Sequence, residues 1–336
     1  MMAKLQTQFI QFNDTIKMGT YDENSTLREK RDLLITELSN SLKYETIPGT
    51  NKALTFTKID LGSYAMNTGV KPTSGHYDID VGIIFDVTND EYDSNKLKKL
   101  VFDKLNKQHN RTVEFNRPCI TVTYNASGYH VDLPVYSKNN DNNHIAWGKE
   151  HSTEDRQWWI ADPKGLKQWV SDVATDANHK SQFRRTARYL KKWKAKAFSD
   201  NGNNAPPSIG LTIQARKAFY YHADNDLDCL IAVVRPIKSS FSQTWDQESS
   251  SLKWCVDVKL PVQPCKNVYY KMTVNQQDAF YKKVEALLEA LEAARNELSE
   301  HECSKILRKV FGDDFPLVED SKQTNTAPYV VTGNNA

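Results

Sequence analysis

The stretch Leu61–Val87, "LGSYAMNTGVKPTSGHYDIDVGIIFDV", decides how this chain is read. Before it, "LTFTKIDL" (54–61) alternates and predicts a strand that ends at a Gly62–Ser63 turn. After fourteen intervening residues, Asp78-Ile79-Asp80 opens a second strand over 78–87. Side chains at i and i+2 share one face of a strand, so both carboxylates point the same way. Crowded carboxylates repel, and removing them from water is costly without a cation. Hard oxygen donors favour Mg²⁺. A bare Asp-x-Asp is more often a solvated strand end, but two neighbours change its meaning. A tight Gly-Ser turn opening a short helix or loop offers N–H groups and a hydroxyl to an anion such as a triphosphate. Asp132 interrupts the apolar "HVDLPV", 52 residues after Asp80. If that strand lies beside 78–87, three carboxylates form a cradle for two divalent ions, which can clamp an in-line phosphoryl displacement.

The surrounding pattern predicts a helical lead-in over 4–17 and 26–43, the latter with Leu27, Arg31, Leu34, Leu38 and Leu42 on one stripe and a start at Ser25 or Thr26. An amphipathic helix is expected at 91–108. Strands are expected at 119–124 and 129–137, joined by the turn "NASG". From about 155 onward helical periodicity dominates: 162–173, 181–198, 208–222, 226–235 and one long helix at 275–310. "SDNGNNAPP" (199–207) and "SSFSQTWDQESSS" (239–251) read as linkers, the second flexible. The polar tail from Glu319 to Ala336 reads as a frayed end.

Composition narrows the class. Of 336 residues, 39% are hydrophobic and 26% charged, which is ordinary for a globular protein with a substantial core. The net charge of +2 argues against coating of a polyanion, so no nucleic-acid requirement is expected. Five cysteines with wide spacing and no CxxC predict reduced thiols. The first residues show no apolar signal core, and no apolar stretch reaches membrane-spanning length. A cytoplasmic enzyme or binding protein, monomeric and without membrane contact, is expected.

Residues 180–196 carry eight basic side chains and no acid. Phe183, Ala187, Leu190 and Ala197 mark an apolar face. At 3.6 residues per turn Lys191 flanks that face and Lys194 falls nearer its centre. Either can point into a cleft, whereas Arg185, Arg188 and Lys192 are expected on a solvated basic face. In "HADNDLDC" (222–229) the spacing fits no tetrahedral zinc set, and an Asp-rich helix start explains it more simply. Trp158, Trp159 and Trp193 read as core. His130 would share the face of Asp132.

A Gly-Ser turn, an Asp-x-Asp strand and a later strand Asp resemble the DNA polymerase β-like nucleotidyltransferases. With the helical second half, "YLKKWK", "PPSIGL" and a last helix ending "VFGDDFP", the chain resembles the bacterial CD-NTase branch, the cyclic-oligonucleotide synthases related to OAS and cyclic GMP-AMP synthase. The resemblance implies an α+β fold: a mixed-sheet palm and a C-terminal helical lobe with the active-site cleft between them. It implies a lead-in over 1–50 packing across both lobes, a catalytic core at 51–155, a helical OAS-like domain at 156–318 and a flexible tail at 319–336. Residue by residue, Gly62 and Ser63 match the phosphate-holding turn. Asp78 and Asp80 match the acids that bind both metals, and Asp132 the acid that binds the catalytic metal and helps deprotonate the attacking hydroxyl. Lys191 and Ser208 match residues placed against the triphosphate. Ile209 stands where some relatives carry a base-stacking tyrosine, leaving Tyr64 or Tyr220 as stand-ins. Two Mg²⁺ ions, with Mn²⁺ as an alternative, and nucleoside triphosphates are the implied cofactors and substrates. The product would be a cyclic di- or trinucleotide messenger in anti-phage defence. The rival expectations are nucleotide addition to RNA or a small molecule, and a silent nucleotide or nucleic-acid sensor. Related operons conjugate the synthase tail to targets, which makes "VVTGNNA" a candidate contact for such machinery.

Overall fold

The computed structural model describes residues 5–18, 22–72, 75, 77–107, 110–126, 128–139, 142–199 and 204–320. Two helices lead in, α1 (Gln6–Ile16) and α2 (Asp22–Ser41). A sheet region follows: β1 (Phe56–Asp60), the single-turn α3 (Gly62–Ala65), β2 (Asp78–Phe85), α4 (Ser94–Leu105), β3 (Arg111–Phe115), β4 (Ile120–Tyr124), β5 (Tyr129–Leu133), β6 (Val135–Asn139), β7 (Asn142–Trp147) and β8 (Gln157–Ala161). The helical region comprises α5 (Pro163–Ser171), α6 (Ala177–Ala197), α7 (Ser208–Ala218), α8 (Asp226–Ser239), the hairpin β9 (Phe241–Asp246) and β10 (Ser251–Val256), α9 (Val274–Asn296) and α10 (Glu300–Phe311).

The sheet is mixed, in the order β3-β4-β5-β2-β6-β7-β8, with β1 antiparallel to β2. β5 and β6 run parallel to β2 with one constant register, Asp78 opposite His130 and Ile83 opposite Val135. They are one extended segment, as 129–137 was read, interrupted at Pro134, which has no N–H to donate. The first half takes β4 as its outer neighbour and the second takes β7. β7 and β8, which the periodicity did not reveal, carry the sheet on to Ala161.

The lead-in helices enter different cores. Leu5, Phe9, Phe12 and Ile16 of α1 join the helical core, where Phe9 and Phe12 contact the rings of Tyr189, Phe311 and Phe315. Burying each such ring contributes about 1.5–3 kcal/mol. Leu27, Leu34, Leu38 and Leu42 of α2 instead cover the sheet. Arg31, on the same stripe, is buried by pairing with Asp60 at 2.7 Å.

Local chemistry sets the helix limits. Asp176 caps α6 by accepting from the N–H groups of Asn178 and His179. Thr273 and Gln276 form a reciprocal capping box on α9. The expected single helix at 275–310 divides at Ser299, whose side chain caps α10. The expected linker at 239–251 is mostly hairpin, with Trp245 opposite Leu252. Residues 200–203 of the other linker lie outside the described residues, as does the tail from 321 onward. Trp193 is core, but Trp158 and Trp159 are only half-buried.

Candidate active site

β2 begins at the acids. Its register with β5 sets Asp80 directly beside Asp132, while Asp78 leads the strand at the rim. One carboxylate oxygen from each of Asp78, Asp80 and Asp132 lies within 4.8 Å of the other two. All three donors are hard oxygens, so the set fits a divalent cation of the Mg²⁺ type. Burial, then the facing Asp80 and Asp132, pushes the Asp78 carboxyl up to about 8. Burial and Asp132 push Asp80 up to about 6, partly offset by Lys191. The cluster is therefore short of positive charge, the condition a bound cation relieves.

The Gly-Ser turn sits against these acids. Leu61 donates its N–H to the carbonyl of Asp80 at 3.0 Å, pinning α3 to the head of β2. Gly62 has φ +64°, and a Cβ there would stand 1.7 Å from Asp80 Oδ2. Both facts demand glycine. Gly62→Ala is expected to displace Asp80 and lower turnover at least about 100-fold, a sensitivity that ångström-scale misplacement near chemistry commonly shows. Circular dichroism and a thermal melt would confirm that the variant still folds.

The three acids, Gly62 and Ser63 line a cavity of about 560 Å³, closed on its other side by Lys191, Ser208 and Ile209. The structure thus brings together seven of the eight sequence-selected side chains. Lys194 does not line the cavity; it donates to Ser208 Oγ at 2.9 Å from behind. Lys191 reaches the cavity wall, where its amino group donates to the carbonyl and hydroxyl of Thr68, each at 2.9 Å. Burial, then the neighbouring Arg188 and Lys194, pulls its pKa down to about 7. Neither Tyr64 nor Tyr220 is in the lining, and Tyr220 is 73% exposed beside α8.

The solvated basic face expected on α6 is instead a set of tertiary anchors. Arg185 pairs with buried Asp226 at 2.6 Å, Lys192 with Asp314, and Arg188 donates to Asn13 Oδ1 and to the carbonyl of Asn67. Asp226 belongs to the Asp-rich helix start in "HADNDLDC", where Asn225 is the cap.

Two residues at the site escaped the sequence reading. Thr68 is one. The other is Thr121, whose hydroxyl donates to Asp132 Oδ1 at 2.6 Å. Its signal was available: closing the hairpin through a four-residue turn at 125–128 sets Thr121 opposite Asp132. His130, in the same strand as Asp132, meets Thr123 Oγ1 with its Nδ1 at 2.9 Å. Thr121→Val keeps the shape and removes the hydrogen bond. It is expected to weaken metal affinity or activity roughly 10- to 100-fold, the usual penalty for losing a partner behind a ligand. Isothermal titration with Mg²⁺ or Mn²⁺ would read the change.

Residues 59–136 match the family model described as cyclic GMP-AMP synthase DncV-like, nucleotidyltransferase domain. The span runs from β1 through the Gly-Ser turn and all three acids. The chain is similar to the bacterial CD-NTase family. Among CD-NTase relatives, a cyclic GMP-AMP synthase of Escherichia albertii is 24% identical over 254 residues, 69% of this chain and 54% of that protein. A cyclic AMP-AMP-AMP synthase of an Acinetobacter species is 25% identical over 174 residues, 51% of this chain and 47% of that one. The matches thus span about half the length of those relatives. In fold, the di-nucleotide cyclase DncV of Vibrio cholerae, solved with GTP and 5MTHFGLU2, superposes with a TM-score of 0.75 at 18% identity, over 95% of this chain and 100% of that one. The CD-NTase CdnG of Bradyrhizobium diazoefficiens, solved with GTP, gives 0.70 at 16% identity, covering 93% and 96%. At such identities the likeness fixes the architecture alone, a mixed sheet with a helical lobe. No helix among the described residues is long and apolar enough to cross a membrane.

Proposed function

We propose that this chain is a metal-dependent nucleotidyltransferase that joins nucleoside triphosphates into a cyclic di- or trinucleotide and releases pyrophosphate. The observation that carries this reading is the convergence of Asp78, Asp80 and Asp132 beneath the Gly62–Ser63 turn, in one cavity with Lys191 and Ser208. The names of the two curated relatives, a cyclic GMP-AMP and a cyclic AMP-AMP-AMP synthase, favour a cyclic product.

Asp78, Asp80 and Asp132 would hold two Mg²⁺ or Mn²⁺ ions, which supply charge neutralisation for the phosphates. The Gly62 backbone and the Ser63 hydroxyl hold the phosphate chain of the donor. Lys191 and Ser208, the latter braced by Lys194, flank it. Asp132, fixed by Thr121, accepts the proton of the attacking ribose hydroxyl. That oxygen bonds to the α-phosphorus, the bond from this phosphorus to the bridging oxygen of the β-phosphate breaks, and pyrophosphate leaves with the electron pair. A second transfer within the linear product closes the ring. The cleft supplies positioning, which alone can lower such a barrier by about 7–11 kcal/mol.

We assign the protein to a monomeric cytoplasmic signalling system of anti-phage type, with a division into a lead-in (1–50), catalytic core (51–155), helical domain (156–318) and tail (319–336). The tail from 321 lies outside the described residues; truncating Gly333–Ala336 and measuring partner-dependent conjugation tests its role. The central test is chromatography of products from the four ribonucleoside triphosphates with Mg²⁺ and no added acceptor. A phosphatase-resistant product supports cyclisation. Products that form only when RNA or a small-molecule acceptor is added assign the chain to the other transferase class.

A further inference from the structure

The β3–β4 hairpin turns through Arg117 and Pro118, and Pro118 and Cys119 line the same cavity as Asp132. Asn116 and Cys119 close this turn, the Asn116 N–H donating to the Cys119 carbonyl at 3.0 Å. Lys98 of α4, only 1% exposed, holds the turn from behind. Its ammonium donates to the carbonyls of Arg117 and Gly148, each at 2.8 Å, and to that of Ala146 at 3.4 Å. The same ammonium lies 4.5 Å from the centre of the Phe115 ring. The Gly148 N–H also donates to the Arg117 carbonyl, at 3.1 Å. Burying an ammonium among carbonyls is costly, and that burial pulls Lys98 down to about 8. The cost is borne where the ammonium locks the β3–β4 turn to the end of β7.

From the fixed turn, Asn116 Nδ2 donates to Thr121 Oγ1 at 3.0 Å, and Thr121 Oγ1 donates to Asp132 Oδ1 at 2.6 Å. Proton counting sets the order of donors. An ionised carboxylate only accepts, and a hydroxyl has one proton and two lone pairs. Thr121 must turn its proton to Asp132, so its oxygen is free to accept. The Asn116 amide fills that place. Turned over, the amide would offer its oxygen, and two acceptors would compete for one proton. With Nδ2 inward, the hydroxyl is held in the rotation that serves Asp132. We propose that Asn116 is a positioning residue for Asp132, acting through the Thr121 hydroxyl, and that Lys98 holds the turn from which it acts. This rests on the reading of Asp132 as a cation-holding, proton-accepting group and adds to it the residues that set its direction.

A double-mutant cycle read by metal binding tests this apart from turnover. Isothermal titration with Mn²⁺ is run on wild type, Asn116→Leu, Thr121→Val and the two combined. Leucine keeps the size of asparagine and removes the donor, and position 116 is exposed, so the fold is kept. Asn116→Leu should weaken Mn²⁺ binding roughly 10-fold, the low end for a group behind a metal ligand. Added to Thr121→Val it should bring no further loss, because the hydroxyl through which it acts is gone. A loss equal in both backgrounds, or binding of Asn116→Leu within about twofold of wild type, overturns the relay. Lys98→Met should weaken binding by a similar factor and add nothing to Asn116→Leu; unchanged binding in Lys98→Met overturns its part. In a transfer assay the loss should fall on kcat with KM unchanged, because Asn116 stands behind Asp132 and not against the Gly62–Ser63 turn. The expected cycle in Mn²⁺ binding, with no product from triphosphates, keeps the relay and overturns nucleotidyl transfer.

Discussion

Asp78→Asn combined with Asp80→Asn is expected to lower product formation by about 10³-fold or more while leaving the fold intact. Removing one preorganised electrostatic group at a reacting phosphate or carbonyl commonly costs 10²–10³ in rate, and here two cation-holding groups are lost together. The accompanying stability change has a distinctive sign. Both carboxyls lie above the ordinary carboxylate range, Asp78 at about 8 and Asp80 at about 6. The folded state therefore binds more protons than the unfolded one between roughly pH 4 and pH 8, and metal-free stability falls as pH rises through that window. The Asn variant loses this slope, and without metal at pH 8 it should melt at or above the wild-type temperature. Added Mg²⁺ should raise the melting temperature of wild type and leave the variant unmoved. Turnover within tenfold of wild type would remove the three acids from the mechanism.

Asp226→Ala should be the most damaging single change away from the cleft. Asp226 is fully buried, with its carboxylate accepting from Arg185 Nε at 2.6 Å, Arg185 Nη2 at 2.8 Å, Tyr189 Oη at 2.8 Å and Gln182 Nε2 at 3.0 Å. Truncation leaves a largely enclosed guanidinium without its acceptor, while the buried Tyr189 phenol keeps the Phe9 carbonyl at 2.8 Å. Breaking a buried pair from one side typically costs about 3–5 kcal/mol. Urea denaturation at pH 7 measures this directly. Burial alone would push the Asp226 carboxyl up, but its partners outweigh that and hold it below the usual carboxylate value. The unfolded state thus binds the proton first, and this stabilisation is present above about pH 4 and lost as pH falls further. The destabilisation caused by Asp226→Ala should therefore shrink between pH 7 and pH 3. A loss under 1 kcal/mol at pH 7 would show that the network is dispensable.

The triad could be read from sequence because the Asp-x-Asp pair follows a Gly-Ser turn and Asp132 interrupts a later apolar strand, a combination that a solvated strand end alone does not explain. Gly62 was legible for a related reason: a Gly between a strand and a polar helix start marks a backbone position that other residues resist. The long helices followed from their stripes, as in Leu27-Leu34-Leu38-Leu42. What stayed hidden depends on partners far along the chain. The cations of α6 look like a wet face when only their own helix is considered, because Asp226, Asp314, Asn13 and Asn67 come from other elements. The β9–β10 ribbon reads as a linker in sequence because most of β9 is exposed, so no inside–outside alternation marks it. Trp159 was assigned to the core on hydrophobicity, although its half-buried ring lines a cavity beside Asp132.

The short segment after α3 carries a mechanical consequence. Thr68 holds Lys191, Asn67 holds Arg188, Met18 donates its N–H to the carbonyl of Gly69, and Lys71 donates to that of Ile16. Four residues thus tie the sheet region to α6 and to the end of α1 immediately beside the Gly-Ser turn. One jamb of the doorway is fixed to both leaves, and any widening to admit a nucleotide must come from the opposite jamb. A shift of α6 by a fraction of an ångström would be delivered to the phosphate-holding turn without slack, so an event on the outer surface of the helical lobe has a stiff route to the chemistry.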